Sequence, residues 1–514
     1  MIATIIITVL TIIFMILAIL FKPQICIKNI KISTYWIVTL LGAMLLVAFG
    51  AIDFGTIFKN LTASTAINPL KILTLFISMS MLSIFLDEVG FFSYLANVVL
   101  KKAKTSQTTL FLLLYALVSV LTVFTSNDII ILTFTPFICY FTKNAKINPI
   151  PYLVTEFVSA NTWSMALIIG NPTNIYLATA SNITFINYFT TMIVPTIFGG
   201  VTSFSLLYLL FRKQFKKPLA VQDVPNTTTY IEVDNNVENA NKIENTNEDI
   251  NANINENENI NTDTNININI NASANSNASA NTNINANKDA NLNINAYENI
   301  TATNVDNAKI ENKPLLIIGL ALLAICTILL TISSYIGLEM WLITLICFVA
   351  LVVLVGITSL IQRKVPTQLI GALKRAPYEL IPFVLSMFVV VLALNNSGIT
   401  NKIFMFFGDK NTAWVYGATS FLTANLINNI PMSVLFSTII SNNTTSTALA
   451  VYSAIIGSNL CAIFTPIGAL AGIMWSNLIK KHNIKFNFLQ FVKYGAIISL
   501  PTLCASLLGL SIVL

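Results

Sequence analysis

The chain has 514 residues, 55% hydrophobic and 10% charged, with mean hydropathy +0.75 and a formal net charge of +6. A soluble domain carries about 25% charged residues, so a soluble enzyme or binding module is excluded. Apolar runs of about 20 residues recur, each long enough to cross the hydrocarbon layer as a helix. β-Barrel strands would be shorter and would alternate in polarity; an all-α polytopic membrane protein is expected.

In chain order, residues 1–21 are apolar and lack a basic leading segment and an A-x-A-like cleavage site, so a retained helix is expected. "LDEVGFF" (86–92) then places Asp87 and Glu88 at the end of an apolar run, ahead of Gly90. They fit a polar helix end at the interface or part of an ion or proton path. "FTSNDIIILTFTP" (124–136) sets Ser126, Asn127 and Asp128 between two apolar runs, and Glu156 follows in "YLVTEFVSANTW". About one helical turn inside the membrane, Glu156 could snorkel or serve ion coupling. "GNPTN" (170–174) interrupts a long apolar stretch, Gly170 and Pro172 breaking the helix while Asn171, Thr173 and Asn174 supply uncharged ligands.

Residues 219–313 are asparagine-rich and of low complexity, which predicts a disordered linker. It separates membrane repeat 1 (1–218) from membrane repeat 2 (314–514). Of the 22 acidic residues, fourteen lie in the linker; only Asp87, Glu88, Asp128 and Glu156 fall at or within membrane segments. In repeat 2, "INNIP" (427–431) carries Asn428 and Asn429, and "TPIGALAG" (465–472) carries Thr465, Pro466 and Gly468. The six cysteines are scattered singly and the only histidine, His482, lies in "KKHNIK". No zinc site, disulfide framework or His-based triad is expected, nor any other metal site or cofactor. No nucleotide loop or nucleophile signature is present, so neither an enzyme nor a nucleic-acid partner is expected.

Lysine and arginine set the orientation. The stretches 22–33, 101–106, 143–147, 212–218, 362–375 and 480–485 hold 19 basic residues, against four (Lys59, Lys71, Lys402, Lys410) in the opposite loops. The positive-inside rule then makes the rich side cytoplasmic, with both termini outside and the linker inside. With no organelle signal, a multi-pass protein of the plasma membrane is expected. Because 101–106 and 143–147 share a side, the apolar segment between them must enter and return, turning at "TSND". Residues 400–410 and 441–447 frame a second such hairpin, which turns at "INNIP".

The halves also match in order: "LDEVGFF" with "LNNSGIT" (394–400), "SNDIII" with "INNIPM", and "SANTWSMALIIGNPTNIYLA" with "GSNLCAIFTPIGALAGIMW". About five crossings plus a re-entrant hairpin and a broken helix per half would invert the second repeat, a recurring plan of secondary transporters. In this register Asp87, Glu88 and Asp128 face Asn395, Asn396 and Asn429, so the carboxylates of one repeat are amides in the other. A charge at the centre of a membrane helix costs about 2.5–3.5 kcal/mol, and no lysine or arginine in the apolar runs pairs with Asp128. A bound cation, proton or water would fill that role if "TSND" is a hairpin tip lining a midplane site. The alternative is a short extramembrane loop with an N-cap aspartate. At the breaks, helix ends present amide and carbonyl groups to ions; the alternative is a proline kink without a ligand. Asn161 and Asn459 precede the two breaks at matching places.

These motifs, in this order, resemble the arsenite efflux permease family. That family lies within the larger ion transporter superfamily of citrate and dicarboxylate carriers and sodium/proton antiporters. The resemblance covers most of both halves and none of the linker. It implies a scaffold and a transport domain, with two hairpins and two broken helices forming the site. It also implies proton-coupled export of arsenite or antimonite, sometimes with a soluble ATPase partner, and a homodimer. Two features depart from it: "GNPTN" follows the broader superfamily pattern, and Asn459 stands where some members carry aspartate. No paired cysteines mark the site, although Cys461 adjoins the second break. A sodium-coupled carrier of organic or inorganic anions would use Asn127, Asn171, Asn174 and Asn428 for the cation. A sodium/proton antiporter or a non-transporting receptor would also be compatible with these residues.

Overall fold

The computed structural model describes residues 1–22, 24–27, 30–63, 68–103, 106–218, 310, 312–407, 411–441 and 447–514. The expected linker lies outside these residues apart from 310, 312 and 313, as do Asp409, Lys410, residues 442–446 and the side chain of Cys26.

In hydrocarbon every backbone donor and acceptor must be satisfied within its own segment, and the described chain is accordingly helical. The first half runs α1 (Ile2–Phe21), α2 (Thr34–Ala48), α3 (Phe54–Thr62), α4 (Pro69–Glu88), α5 (Phe91–Ala103), α6 (Gln107–Phe124), α7 (Asn127–Asn144), α8 (Ile150–Trp163), α9 (Pro172–Ala180) and α10 (Phe185–Phe215). The second runs α11 (Lys313–Ile336), α12 (Met340–Gln362), α13 (Thr367–Arg375), α14 (Leu380–Asn396), α15 (Ile399–Phe407), α16 (Thr412–Ile427), α17 (Asn429–Ser441), α18 (Thr447–Phe464), α19 (Leu470–Lys481) and α20 (Phe488–Val513). Each helix of the first half thus has a counterpart ten numbers later. A 3-10 turn joins α8 to α9 (Ile168–Gly170) and another joins α18 to α19 (Pro466–Gly468). Among the described residues, nine helical segments are long and apolar enough to cross a membrane, α13 and α14 counting together as one. The chain is an all-α polytopic membrane protein.

Local chemistry sets the ends. Asn68 caps α4, its Oδ1 accepting from Leu70 N at 2.8 Å, with Pro69 opening the helix where its missing N–H costs nothing. Asn487 and Gln490 form a capping box at the start of α20. Gly90 and Gly398 close α4 and α14 at φ +85° and +75°, a left-handed turn that a side chain would strain. Two stretches expected as loops are structured. Residues 22–33 contain an antiparallel hairpin of β1 (Gln24–Ile27) and β2 (Ile30–Ser33), with Gln24 opposite Ser33. Residues 362–375 contain α13, which buries Leu369 and Ala372 and ends in Lys374 and Arg375.

The halves exchange faces. α4 packs on α11, α12 and α13, while its counterpart α14 packs on α1 and α2. α7 of the first hairpin lies against α19, and α17 of the second lies against α9. α10 and α20 cross closely: a Cβ on Gly199 would run into Ser506 Oγ, and one on Gly509 would press on Pro195 and Phe198. Each half therefore completes the core of the other.

Candidate transport site at the helix breaks

Both hairpin tips are buried. Thr125, Ser126 and Asn127 lie between α6 and α7, and Asn428 and Asn429 lie where α16 meets α17; all five are at most 4% exposed. The length of α6 alone would allow a full crossing, but the tip residues that follow Phe124 are buried inside the protein. Asn127 Nδ2 donates to Asn161 Oδ1 of α8 at 3.1 Å, and Asn161 Nδ2 donates to Phe157 O at 2.8 Å. Ser126 Oγ stands 3.5 Å from Asn127 Oδ1. At the second tip, Asn428 adopts φ +75° and Nδ2 donates to Ile467 O, in the 3-10 turn of the second break, at 3.1 Å. Each tip therefore touches the broken helix of its own half.

The two breaks then meet each other through Asn459. Its Oδ1 accepts from Ser164 Oγ at 2.8 Å and from Asn171 Nδ2 at 3.0 Å. Its Nδ2 donates to Asn174 Oδ1 at 2.6 Å and to Ile455 O at 2.8 Å. Asn171 caps α9 with Oδ1, which accepts from Thr173 N and Thr173 Oγ1. Thr173 Oγ1 also lies 3.0 Å from Ser458 Oγ of α18. Asn174 Nδ2 donates to Ser164 O and Leu167 O, satisfying carbonyls that the first break frees. In the second break Thr465 Oγ1 donates to Asn425 Oδ1 at 2.6 Å. Gly170 and Gly468 end their 3-10 turns against Ser164 O and Cys461 O, leaving little room for a side chain. Both breaks therefore carry amide and hydroxyl side chains that are hydrogen-bonded to neighbouring elements. Asn459, the asparagine noted as a departure, is the strut between the halves.

The carboxylates separate. Asp128 is the second residue of α7, not its N-cap (Ser126 holds that place), and it is half-buried. The positive end of α7 favours its charge. Among the described residues Asp128 forms no ion pair; those present engage Glu339, Asp87 and Glu88. Asp87 and Glu88 both bind Arg375 of α13, each at 2.6 Å, and are not gathered at the breaks. Glu156 is fully buried in α8 rather than snorkelling, and is held by Thr135 Oγ1 (3.0 Å) and Trp475 Nε1 (3.2 Å).

The register also needs correction. α7 and α17 begin at Asn127 and Asn429, so these two are equivalent and Asp128 faces Ile430, one position from the sequence match. The prolines are not equivalent either: Pro172 opens α9, whereas Pro466 opens the 3-10 turn. Asn429 Oδ1 is buried without a partner, an acceptor left open at the second tip. Sequence reading overlooked Ser164, Asn425 and Ser458. The signal was present in their spacing, since Ser164 follows Asn161 by three and Asn425 precedes Asn428 by three, one helical face in each case. The apolar cleft lined by residues such as Val99, Leu110, Phe137 and Tyr152 touches none of these amides.

Two hairpin tips meeting two broken helices call for comparison with known carriers, and the citrate transporter family (CitMHS) matches residues 12–454. The chain belongs to that family. Among relatives, a candidate transporter of Dictyostelium discoideum, arsB, is 32% identical over 179 residues, 35% of this chain and 30% of its own length. The arsenical pump membrane protein of Yersinia enterocolitica is 30% identical over 149 residues, 27% of this chain and 35% of its own. The chain thus spans only about a third of the length of these two. A candidate arsenical pump membrane protein of Bacillus subtilis (strain 168) is 21% identical over 472 residues, 89% of each chain. As a citrate transporter family member with nine candidate spans among its described residues, the chain is a multi-pass membrane protein. The matched region spans both tips and the first break, and reaches into α18.

Proposed function

We propose that this chain exports arsenite or antimonite across the cell membrane in exchange for protons, with Asp128 as the coupling carboxylate. One observation carries the reading: the junction of tips and breaks is built from amides and hydroxyls, with no lysine, arginine or histidine bonded into it among the described residues. A polycarboxylate such as citrate calls for charged or charge-assisted donors. A small uncharged molecule bearing several hydroxyls suits alternating amide donors and acceptors, and Asn429 Oδ1 offers it a free acceptor. The names of the Yersinia and Bacillus relatives support the same cargo. Half-buried Asp128, without a cation partner, can gain and lose a proton at the first tip. Termini outside the cell, a homodimer and a soluble ATPase partner belong to the same proposal.

The test is arsenite uptake into inverted vesicles under an imposed pH gradient, with Asp128→Asn alongside. Accumulation that collapses with the gradient and in the variant is expected. No uptake by the folded wild-type chain would overturn the cargo. Uptake that needs sodium and ignores pH would favour the sodium-coupled alternative.

A further inference from the structure

Glu156 is a second carboxyl that the hairpin-tip mechanism leaves unused. It is 0% exposed, and three elements meet on it: α8 carries it, α7 of the first hairpin brings Thr135, and α19 of the second broken helix brings Trp475. No ion pair reaches it among the described residues, although a buried carboxylate is ordinarily paired with a cation.

The two partners differ in kind. The Trp475 indole only donates, so Oε2 (3.2 Å) must remain an acceptor in every state. The Thr135 hydroxyl, 3.0 Å from Oε1, can donate to a carboxylate or accept from a carboxylic acid. Glu156 can therefore hold or release a proton on Oε1 without stranding either partner. Other titratable groups nearby do not compete. Cys139 faces Glu156 from the next turn of α7, and Asp128 lies two turns away on the same helix. On the remaining elements packed against α8, Tyr115 is committed to Gly200 O, Tyr188 to Met165 O, Tyr452 to Asn187 O and Cys461 to Ser458 O. On α8 itself Tyr152 donates to Gln107 Oε1. The lysines of α19, Lys480 and Lys481, lie in its last turn.

We infer that Glu156 is a proton-binding site, separate from Asp128, which joins the first hairpin to the second broken helix in both protonation states. Its part in transport rests on the proton-coupled reading above; its proton binding does not.

The test uses the full chain labelled with 5-fluorotryptophan, the Trp475 signal being assigned by Trp475→Phe. On pH titration of the folded chain the Trp475 fluorine resonance shifts in one step, and Glu156→Gln abolishes the step while the other four tryptophan signals persist. Should Glu156→Gln not fold, Thr135→Val serves instead. Losing a donor to the charged form raises the midpoint by about one pH unit, tenfold in proton affinity. A flat Trp475 signal throughout the pH range in which the wild type stays folded, or the same step in folded Glu156→Gln, overturns the inference. A Trp475 titration without arsenite transport upholds the proton site and overturns only the cargo.

Discussion

Asn459 of the second half donates to Asn174 Oδ1 of the first at 2.6 Å, while its own Oδ1 takes hydrogen bonds from Ser164 and Asn171. One amide side chain thus holds two broken helices, 285 residues apart in sequence, in a single polar junction.

Asn459→Ala would leave Asn171 Nδ2 and Asn174 Oδ1 buried without their partner, while Ser164 Oγ keeps Asn161 O. Each unsatisfied group costs about 1–3 kcal/mol, so a loss of about 2 kcal/mol or more is expected, together with loss of transport. Asn127→Ala removes one bond to Asn161 and should cost about 1 kcal/mol. Apparent unfolding temperatures in detergent, with vesicle uptake alongside, check the ranking. Equal effects of the two variants would show that Asn459 is not the strut.

Arg375 spans Asp87 and Glu88, fastening α13 to the end of α4. Its side chain is 32% exposed, so solvent weakens the pairing, and Arg375→Ala should cost about 1–2 kcal/mol. Arg375→Lys keeps one contact but loses the fork geometry, recovering about half. Gly371→Ala places a methyl group on Glu88 Oε2 and should cost less than Arg375→Ala. Its effect should disappear in a Glu88→Ala background, where the side chain that the methyl group would meet is absent. Full additivity of the two changes would refute the steric link.

At the other end of α4, Lys71 pairs with Glu339 at 2.6 Å and, with Trp341, holds that carboxyl below its usual range. A depressed folded-state value stabilises the fold above the unfolded carboxylate pKa, and the gain is lost as pH falls through the folded value. Glu339 is 58% exposed, so the effect is small, below about 0.5 kcal/mol. The difference in unfolding temperature between wild type and Glu339→Gln should shrink as pH is lowered from 7 to about 4. A difference that grows on acidification would contradict the sign.

Deleting residues 222–296 removes most of the asparagine-rich stretch and none of the residues at the breaks. Transport by the shortened chain should stay within about twofold of the full chain, since asparagine-rich sequence of this kind is too polar to supply a packed core. Loss of transport with normal membrane insertion would instead give the linker a function.

Helical class, the two matched halves and the broken segments are legible in the residue order. Hydrocarbon imposes one backbone solution, and glycine, proline and asparagine interrupt an apolar run wherever they fall. The same order leads to Asn127, Asn171, Asn174 and Asn428, which the fold brings to the tips and breaks. It misses Ser164, Ser458 and Asn425, short polar side chains that read as ordinary helix surface until a second helix is laid against them.

Partnership is another matter, because it depends on which faces meet across hundreds of residues. Asp87, Glu88, Asp128 and Glu156 look alike as carboxylates in apolar surroundings. Tertiary packing gives the first two an arginine from the opposite half, leaves Asp128 at the positive end of α7 with no ion pair among the described residues, and closes Glu156 between a threonine and an indole. A local pattern shows that a charge has entered the membrane; only the exchange of faces between the halves decides what stands beside it.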